Sequence, residues 1–389
     1  MKVAYINCLL GKGGVLGVEK KLGEQAKAVT ELGLDMDILH FDFSRQLDNE
    51  GVQFCKREEG ICGELLSVLF RYACVPEYID MDKYDLMVLR YSGADFSLFR
   101  DFLRNNATRI VTEHHTKELP EALTYNTTLP QKLITLFMER VLGPIIIRRC
   151  AGLIANCEEV KAYELRRAGC AIPATVVTDG VSVEGVPFSG HAPYTGNELS
   201  LLCIAAFFDP WQGLDRVLRG LQDYTSQRPL LHLTVVGDVS GEDYRSARSL
   251  ADKKNVKVQF LGKLYGPRLE EVFGTTHLAF SPLAMFRKRI NEGCALKTRE
   301  YLARGLPFII GHGDPDLDDA ENYFLSILPD NRPVDMQHVV EFAEQVLKIR
   351  GVSRAMRDFA ETRVDWKVKM LEMWDFLKFV SKGEKSANL

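Results

Sequence analysis

The chain has 389 residues, of which 46% are hydrophobic and 26% charged, and its formal net charge is −4 at pH 7. This length exceeds what one hydrophobic core usually serves, so we expect two domains. The nearly balanced charge, without tracts of Lys or Arg interleaved with aromatic residues, argues against nucleic-acid binding.

Cysteine usage and the N-terminal residues indicate the compartment. The nine cysteines are scattered and form no Cys-x-x-Cys pair, which favours a reducing cytoplasm over a disulfide framework or a zinc site. The chain enters a predicted strand directly, without the apolar core and cleavage site of a signal peptide. Its apolar runs are shorter than the roughly 20 residues of a membrane span. We therefore expect a cytoplasmic protein.

The chain begins with a strand, a glycine-rich turn and a helix. The predicted elements are a strand at 3–7, a turn at 11–19 that includes Gly13, Gly14 and Gly17, a helix at 19–32 and a strand at 34–39. Such a turn brings backbone N–H groups toward a phosphate or toward the edge of a cleft. The turn is neither a P-loop nor a complete Gly-x-Gly-x-x-Gly, so a merely flexible turn is an equal interpretation.

Polar residues directly follow the predicted strand at 109–111. Glu113, His115 and Lys117 are the candidates for ligand contacts, because residues after a parallel strand lie at the ligand-binding edge of the sheet. Neighbouring histidines point in different directions, so at most one of His114 and His115 enters a cleft. A solvated surface loop is the alternative.

An apolar stretch follows at 129–150, and Pro144 is expected to divide it. Its basic residues are Lys132, Arg140, Arg148 and Arg149. Each half is too short to span a bilayer, so we favour buried helices over a surface that meets lipid headgroups.

The second half repeats the alternation after a polar stretch at 186–197 that is predicted to link two domains. The predicted strands are at 201–205, 231–236, 256–260 and 278–281, and the predicted helices are at 213–221 and 269–273. Regular βα alternation in both halves predicts two doubly wound parallel sheets.

The most informative stretch lies at 291–310. Its residues 296–304 are good helix formers, Gly305 is typical of a helix end, and 306–310 is an apolar run of parallel-strand type. The small residues before this helix lie where unpaired N–H groups attract an anion. They are Gly293, Cys294 and Ala295, and Leu296 opens the helix.

Three charged side chains accompany this helix start. Glu292 stands just before it, Glu300 lies two turns inside, and Lys297 adds a cation one turn from the same end. Two carboxylates beside an anion site suit a ligand that carries both a phosphate and several hydroxyls. An ordinary αβ unit with a solvated Glu is the alternative.

Glu292 and Glu300, separated by seven residues and followed by Tyr-Leu-Ala-Arg-Gly-Leu-Pro, resemble the signature of retaining glycosyltransferases of family 4. The stretch Trp-Gln-Gly-Leu-Asp-Arg at 211–216 resembles a bacterial polysaccharide-assembly branch of that family. The resemblance implies the α/β GT-B fold, with two doubly wound Rossmann-like domains facing each other across a cleft. We place an acceptor-side domain at 1–185, a nucleotide-sugar-binding domain at 186–365, and a C-terminal helix at 366–389 that packs back on the first domain.

The same resemblance implies site roles. Glu300 would bind the nucleotide ribose and Glu292 the hydroxyls of the donor sugar, while the amides of Gly293, Cys294, Ala295 and Leu296 would hold phosphate and sugar. His115 would lie near the donor sugar and Gly17 would face the donor. Gly262, Lys263 and Leu264 would line the base pocket.

The sequence departs from the family pattern at one place. Phe207 and Gln212 stand where many members carry an Arg and a Lys that bind the leaving diphosphate. Lys297, Arg287 and Lys288 are the candidate replacements, and Lys297 is the first choice because its place beside the helix start is fixed.

These features together predict a metal-independent retaining hexosyltransferase. It would take a UDP- or GDP-linked sugar as donor and a glycan or lipid-linked glycan as acceptor, without a cofactor. No Asp-x-Asp stands at a convincing strand end. A nucleotide-sugar epimerase of GT-B shape and a catalytically silent sugar-nucleotide-binding subunit are the alternatives. Peripheral contact with the inner face of a membrane is a further expectation, through Arg140, Arg148 and Arg149.

Overall fold

The computed structural model describes residues 1–8, 16–42, 52–56, 72, 75, 79–123, 128–250, 252–317 and 322–383. The chain forms two compact units. Unit 1 comprises Met1–Gly180 together with Trp366–Leu389, and unit 2 comprises Val181–Asp365. The C-terminal helix is therefore part of unit 1.

Unit 1 contains a seven-stranded parallel sheet with the strand order β3-β2-β1-β4-β5-β6-β7. The strands are β1 Val3–Cys8, β2 Met36–Asp42, β3 Val52–Lys56, β4 Leu86–Arg90, β5 Ile110–His114, β6 Gly152–Ala155 and β7 Ala174–Val176. The helices are α1 Leu16–Glu31, α2 Leu103–Asn106, α3 Glu118–Ala122, α4 Leu129–Arg149, α5 Glu158–Ala168 and the C-terminal α12 Trp366–Ser381.

The alternation of side chains along β1 divides the core of unit 1 into two layers. Ala4 and Ile6 pack in the layer that contains Met138 and Ile146 of α4. On the other face, Val3 and Tyr5 pack in the layer that contains Leu22, Ala26 and Val29 of α1 and Met370 and Met373 of α12. Successive residues of a strand point to opposite faces, so one buried strand supports both layers.

Two details of unit 1 differ from the sequence-based expectations. The first helix begins at Leu16, so Gly17 lies in its first turn rather than in the preceding loop, and Gly13 and Gly14 fall outside the described residues. Pro144 does not divide the apolar stretch, because α4 is continuous from Leu129 to Arg149. Proline removes one intrahelical bond to the carbonyl four residues earlier, and that residue, Arg140, is exposed to water, which can take the bond.

Unit 2 contains a six-stranded parallel sheet with the order β10-β9-β8-β11-β12-β13. The strands are β8 Glu198–Phe207, β9 Leu230–Asp238, β10 Val256–Phe260, β11 Leu278–Phe280, β12 Phe308–Ile310 and β13 Phe324–Ser326. The helices are α6 Leu214–Asp223, α7 Gly241–Arg248, α8 Pro267–Gly274, α9 Leu296–Arg304, α10 Met336–Val346 and α11 Val352–Phe359.

The polar stretch at 186–197 is bonded to unit 2. The N–H of Gly190 donates to the carbonyl of Arg304 at 2.8 Å, and the N–H of Ala192 donates to that of Thr276 at 2.9 Å. This stretch is therefore a surface segment of unit 2, and the change of unit occurs earlier, at Gly180 and Val181. Composition alone did not distinguish a linker from a loop that is bonded to its own domain.

The described residues carry no helix that is both long and apolar enough to span a bilayer. Within the same ranges, the cysteines present as thiols rather than as disulfides are Cys8, Cys150, Cys157, Cys170, Cys203 and Cys294.

Candidate active site

The loop before α9 lies at the carboxyl edge of the unit 2 sheet. Two backbone hydrogen bonds join it to the segment after β12: Gly293 N–H donates to the carbonyl of Gly313 at 2.9 Å, and Gly313 N–H donates to that of Asn291 at 2.8 Å. Ala295 has an extended backbone and α9 begins at Leu296. The Gly293 amide is thus used inside the protein, and in the first turn of α9 the N–H of Thr298 donates to the carbonyl of Ala295 at 2.9 Å. The amides of Leu296 and Lys297 occupy the positions that a helix start leaves without intrahelical partners.

Glu292 and Glu300 differ in how they are held. Glu292 lies in the isolated β-bridge with Gly313 and its side chain is half-buried. The Oε1 atom of Glu300 accepts hydrogen bonds from Nε and Nη2 of Arg304, at 3.1 and 2.8 Å. Arg304 also donates to both carboxylate oxygens of Glu270, at 2.6 and 2.8 Å. Arg304 therefore fixes the rotamer of Glu300 through one oxygen.

Lys297 is held by neutral oxygens. Its Nζ donates to the carbonyl of Ile204 at 2.6 Å and to Oε1 of Gln212 at 2.7 Å. Burial lowers the pKa of the Lys297 ammonium to about 8. The structure therefore joins Lys297 to Gln212, one of the two positions at which the expected cation pair is missing.

Arg287 and Lys288, the two loop residues predicted to replace the missing cation pair, both contact neighbouring groups. Arg287 donates to both carboxylate oxygens of Asp215, at 2.8 and 2.9 Å, to the carbonyl of Pro210 at 2.6 Å, and twice to Asn331. The Nζ atom of Lys288 lies 5.1 Å from the centre of the Trp211 ring. In this geometry the Arg287 guanidinium ties its loop to the start of α6, and Asp215 balances its charge.

The last residues of β9 contact the loop after β10, beside the end of β8. Gly237 N–H donates to the carbonyl of Gly262 at 2.8 Å, and Gly262 adopts φ +64°, which favours glycine. Lys263 forms an ion pair with Asp238 at 2.6 Å, and its Nζ lies 4.1 Å from the centre of the Phe207 ring. Leu264 packs against the core of unit 2. These residues are the ones predicted to line a base pocket.

Arg299, in the middle of α9, explains why the nearby aspartates are not free to bind a cation. Its guanidinium is fully buried and donates to Asp314 and, at 2.6 Å, to Asp316. Within the described ranges there is also no group of three His, Cys, Asp or Glu side chains that could hold a metal ion.

A second set of charged residues lies at the carboxyl edge of the unit 1 sheet, around His115. Nε2 of His115 lies 3.1 Å from Oε2 of Glu113, and Nδ1 lies 3.7 Å from Oδ2 of Asp179. Lys21 of α1 contacts Oδ1 of Asp179 at 2.5 Å and Nε2 of His115 at 3.3 Å. We call these four residues the His115 network. Both ring nitrogens of His115 face carboxylates, so the orientation of the imidazole is fixed.

The surroundings of the network stabilise its charges. The hydroxyl of Tyr5 donates to Glu113, and Nζ of Lys21 lies 5.5 Å from the centre of the Trp366 ring in α12. Burial alone would raise the pKa of the Glu113 and Asp179 carboxyls, but Lys21 and His115 bring both pKa values well below the usual range. Both carboxylates are therefore ionised at neutral pH.

Unit 1 also contains a buried acidic cluster farther along the chain, consisting of Glu118, Glu139 and Glu164 with Arg167. Arg167 donates to Glu139 and Glu164, and Glu139 also accepts from the N–H of Ala94 at 2.6 Å. Burial raises the pKa of Glu118, and it raises that of Glu164 to about 7. One guanidinium balances three carboxyls only in part, which favours the protonated forms of Glu118 and Glu164.

Sequence reasoning missed Lys21 and Tyr5. Lys21 lies next to Leu22 on the buried side of α1 and is only 3% exposed. A charged residue at a core position of an amphipathic helix was the available signal. Tyr5, inside an apolar strand, gave no such signal.

Residues 196–357 match the family described as glycosyl transferases group 1, and this range lies within unit 2. No curated protein matches the chain. Among solved structures, sucrose-phosphate synthase from Thermosynechococcus elongatus matches with a TM-score of 0.68 and 15% identity, over 98% of this chain and 100% of that one. The fold is GT-B.

Two further structures support the same fold. HepE of Anabaena, in complex with UDP and glucose, matches with a TM-score of 0.62 and 14% identity, over 97% of this chain and 99% of that one. The lipopolysaccharide outer core galactosyltransferase WaaB matches with a TM-score of 0.63 and 13% identity, over 97% and 99%. The predicted pair of Rossmann-like domains is confirmed, and the group 1 match in unit 2 supports a GT-B glycosyltransferase.

Proposed function

We propose that this protein is a retaining glycosyltransferase that moves a sugar from a UDP- or GDP-linked donor to a glycan or lipid-linked glycan. The observation that carries the proposal is the start of α9 at the carboxyl edge of the unit 2 sheet, with Glu292 before the helix and Lys297 and Glu300 within its first two turns. This arrangement offers a charge for a diphosphate and carboxylates for ribose and sugar hydroxyls. It lies inside the range that matches the glycosyl transferases group 1 family.

Lys297 would carry the leaving diphosphate together with the helix amides, without a metal ion. Its present partners are two neutral oxygens, and burial lowers the pKa of its ammonium to about 8. An anion next to this ammonium would stabilise the charged form. Charge on the leaving group grows in the transition state, so this contact would be strongest when the glycosidic bond breaks.

Nucleotide recognition would fall to Glu300 and the loop that contains Gly262 and Lys263. Arg304 holds Glu300 through Oε1, so the other carboxylate oxygen would be the one that accepts hydrogen bonds from the ribose hydroxyls. HepE, one of the similar structures, was solved with UDP and glucose, which favours a uridine nucleotide as the first donor to test.

Unit 1 would bind the acceptor, and its His115, oriented between Glu113 and Asp179, would lie near the donor sugar. The proposed acceptor class, a glycan or lipid-linked glycan, follows from the polysaccharide-assembly resemblance at 211–216. A cytoplasmic location with peripheral membrane contact completes the proposal.

A panel of labelled UDP- and GDP-sugars tests the proposal directly. A transferase hydrolyses its own donor slowly without acceptor, giving free sugar of retained anomeric configuration and nucleoside diphosphate. An isomerised donor would instead indicate an epimerase, and binding without either product would indicate a silent binding subunit. Glu300→Ala should abolish the hydrolysis, and Glu341→Ala, at an exposed Glu of α10, is the matched control.

A further inference from the structure

The first half of α4 exposes a row of large apolar side chains. They are Leu129, Leu133, Phe137 and Val141, with exposed fractions of 68%, 57%, 63% and 43%, and we call them the α4 stripe. At 3.6 residues per turn, residues four apart lie on neighbouring turns of the same side of a helix. The stripe is therefore one continuous apolar surface.

The opposite side of the same helix is buried. Met138, Leu142 and Ile146 pack in the core of unit 1, and a capping box at Thr128 and Gln131 fixes the start of the helix. Leu123, directly after α3, is also 45% exposed, and Nζ of Lys132 in α4 donates to its carbonyl at 2.9 Å. The stripe is thus presented by a firmly packed helix.

The charges of α4 are arranged asymmetrically. Its exposed charged residues are Arg140, Arg148 and Arg149, and Lys132 is partly exposed. At about 100° per residue, Arg140 and Arg148 fall within the arc that the stripe covers. The acidic residue of the helix, Glu139, is buried and paired with Arg167. Around the stripe, this helix therefore presents positive charge to the solvent.

An apolar row bordered by cations matches the surface of an anionic bilayer. The apolar side chains would enter the boundary between headgroups and acyl chains, and the arginines would meet lipid phosphates. A continuous exposed apolar row on one helix is also unlike the single exposed apolar residues of an ordinary surface.

We propose that unit 1 docks on anionic phospholipid membranes through the α4 stripe and Arg140. This inference specifies the surface for the peripheral contact and does not rest on the proposed sugar transfer. The helix would lie in the plane of the interface, since no helix of the described residues can span a bilayer.

Vesicle flotation of the full chain provides the test. The probes are phosphatidylcholine vesicles with and without phosphatidylglycerol. Leu133→Ser/Phe137→Ser removes two central members of the stripe, and Leu328→Ser/Leu371→Ser removes two apolar side chains that are exposed elsewhere. Arg140→Glu reverses one charge beside the stripe, and Arg350→Glu is the matched reversal at an exposed position in unit 2.

We expect the wild type to float with the anionic vesicles and far less with phosphatidylcholine alone. The stripe double variant should bind at least about tenfold more weakly, and Arg140→Glu about fivefold more weakly, whereas both controls should bind like the wild type. Thermal melting would establish that all variants fold. We expect them to fold, because every substituted side chain is exposed.

Three outcomes would overturn the proposal. These are no binding of the wild type to anionic vesicles, equal binding to both vesicle types, and full binding by the stripe variant. Light scattering provides a fourth such outcome. If the wild type forms a dimer and binds no vesicles, and the stripe double variant alone is monomeric, the stripe is a contact between copies of the chain.

Discussion

The two units use charge differently at the carboxyl edges of their sheets. In unit 1, Lys21 and His115 face the carboxylates of Glu113 and Asp179, so opposite charges meet inside the protein. In unit 2, the partly buried ammonium of Lys297 meets a backbone carbonyl and a side-chain amide. The first arrangement satisfies its own charges, and the second favours the arrival of an anion.

The pKa values express this contrast. The partners of Glu113 and Asp179 overcome the effect of burial and hold both pKa values low, whereas burial dominates at Lys297 and lowers its pKa to about 8. A balanced network contributes stability and orientation. A desolvated cation with neutral partners reduces stability until a ligand supplies the opposite charge.

The largest expected effect is the loss of stability when the His115 network is broken. Asp179→Ala leaves Lys21 without its closest carboxylate in a buried site, so the free energy of unfolding should fall by about 3–5 kcal/mol. Urea denaturation monitored by tryptophan fluorescence measures this change. Asp375→Ala, at an exposed ion pair of α12, should change the free energy of unfolding by less than about 1 kcal/mol. Similar losses in both variants would contradict the stabilising role of the His115 network.

Removing the ammonium of Lys297 should lower the reaction rate rather than the stability of the fold. Lys297→Ala is expected to lower kcat for donor hydrolysis by about 10²–10³-fold with a much smaller rise in KM, because leaving-group charge grows in the transition state. Thermal stability should be retained or slightly increased. Near-normal turnover in this variant, compared with the exposed control Lys348→Ala, would remove Lys297 from the proposed mechanism.

Glu300 should affect binding of the nucleotide more moderately. If its carboxylate accepts hydrogen bonds from ribose hydroxyls, Glu300→Ala should weaken nucleoside diphosphate binding by about 1.5–3 kcal/mol, and Glu300→Gln by less. Isothermal titration calorimetry gives both values. Glu300→Ala also removes a hydrogen-bond partner of Arg304, and Glu270→Ala controls for that loss. Glu270→Ala removes the other carboxylate partner of Arg304 and should leave nucleotide affinity unchanged.

The smallest expected effect concerns the acidic cluster of unit 1. The pKa of Glu164 is raised to about 7, so the folded state binds more protons than the unfolded state between pH 4.5 and 7. The free energy of unfolding should therefore fall as the pH rises through this range, by about 1–2 kcal/mol after allowance for the ion pair with Arg167. Glu164→Gln should flatten this slope in urea titrations at several pH values, and an unchanged slope would assign the proton to another group.

The fold was predictable because its signals are local and repeated. The alternation of apolar runs with helical segments indicated two doubly wound sheets, and the two parallel sheets and the solved GT-B structures confirm this. The sequence also located α9, whose helix formers and terminal Gly305 agree with the structure, where Gly305 has φ +71°. The site roles assigned by resemblance, including those of Glu292 and His115, stay predictions.

Only the tertiary structure decided which charges meet. Lys21 and Asp179 are 158 residues apart, and Lys297 and Gln212 are 85 residues apart, so no local pattern could reveal either contact. Likewise, sequence spacing could not show that Arg287 turns toward Asp215, or that α4 continues through Pro144 and leaves one side uncovered. Periodicity determines which residues of an element share a side. Which side is covered, and which charges become partners, depends on the packing of distant elements.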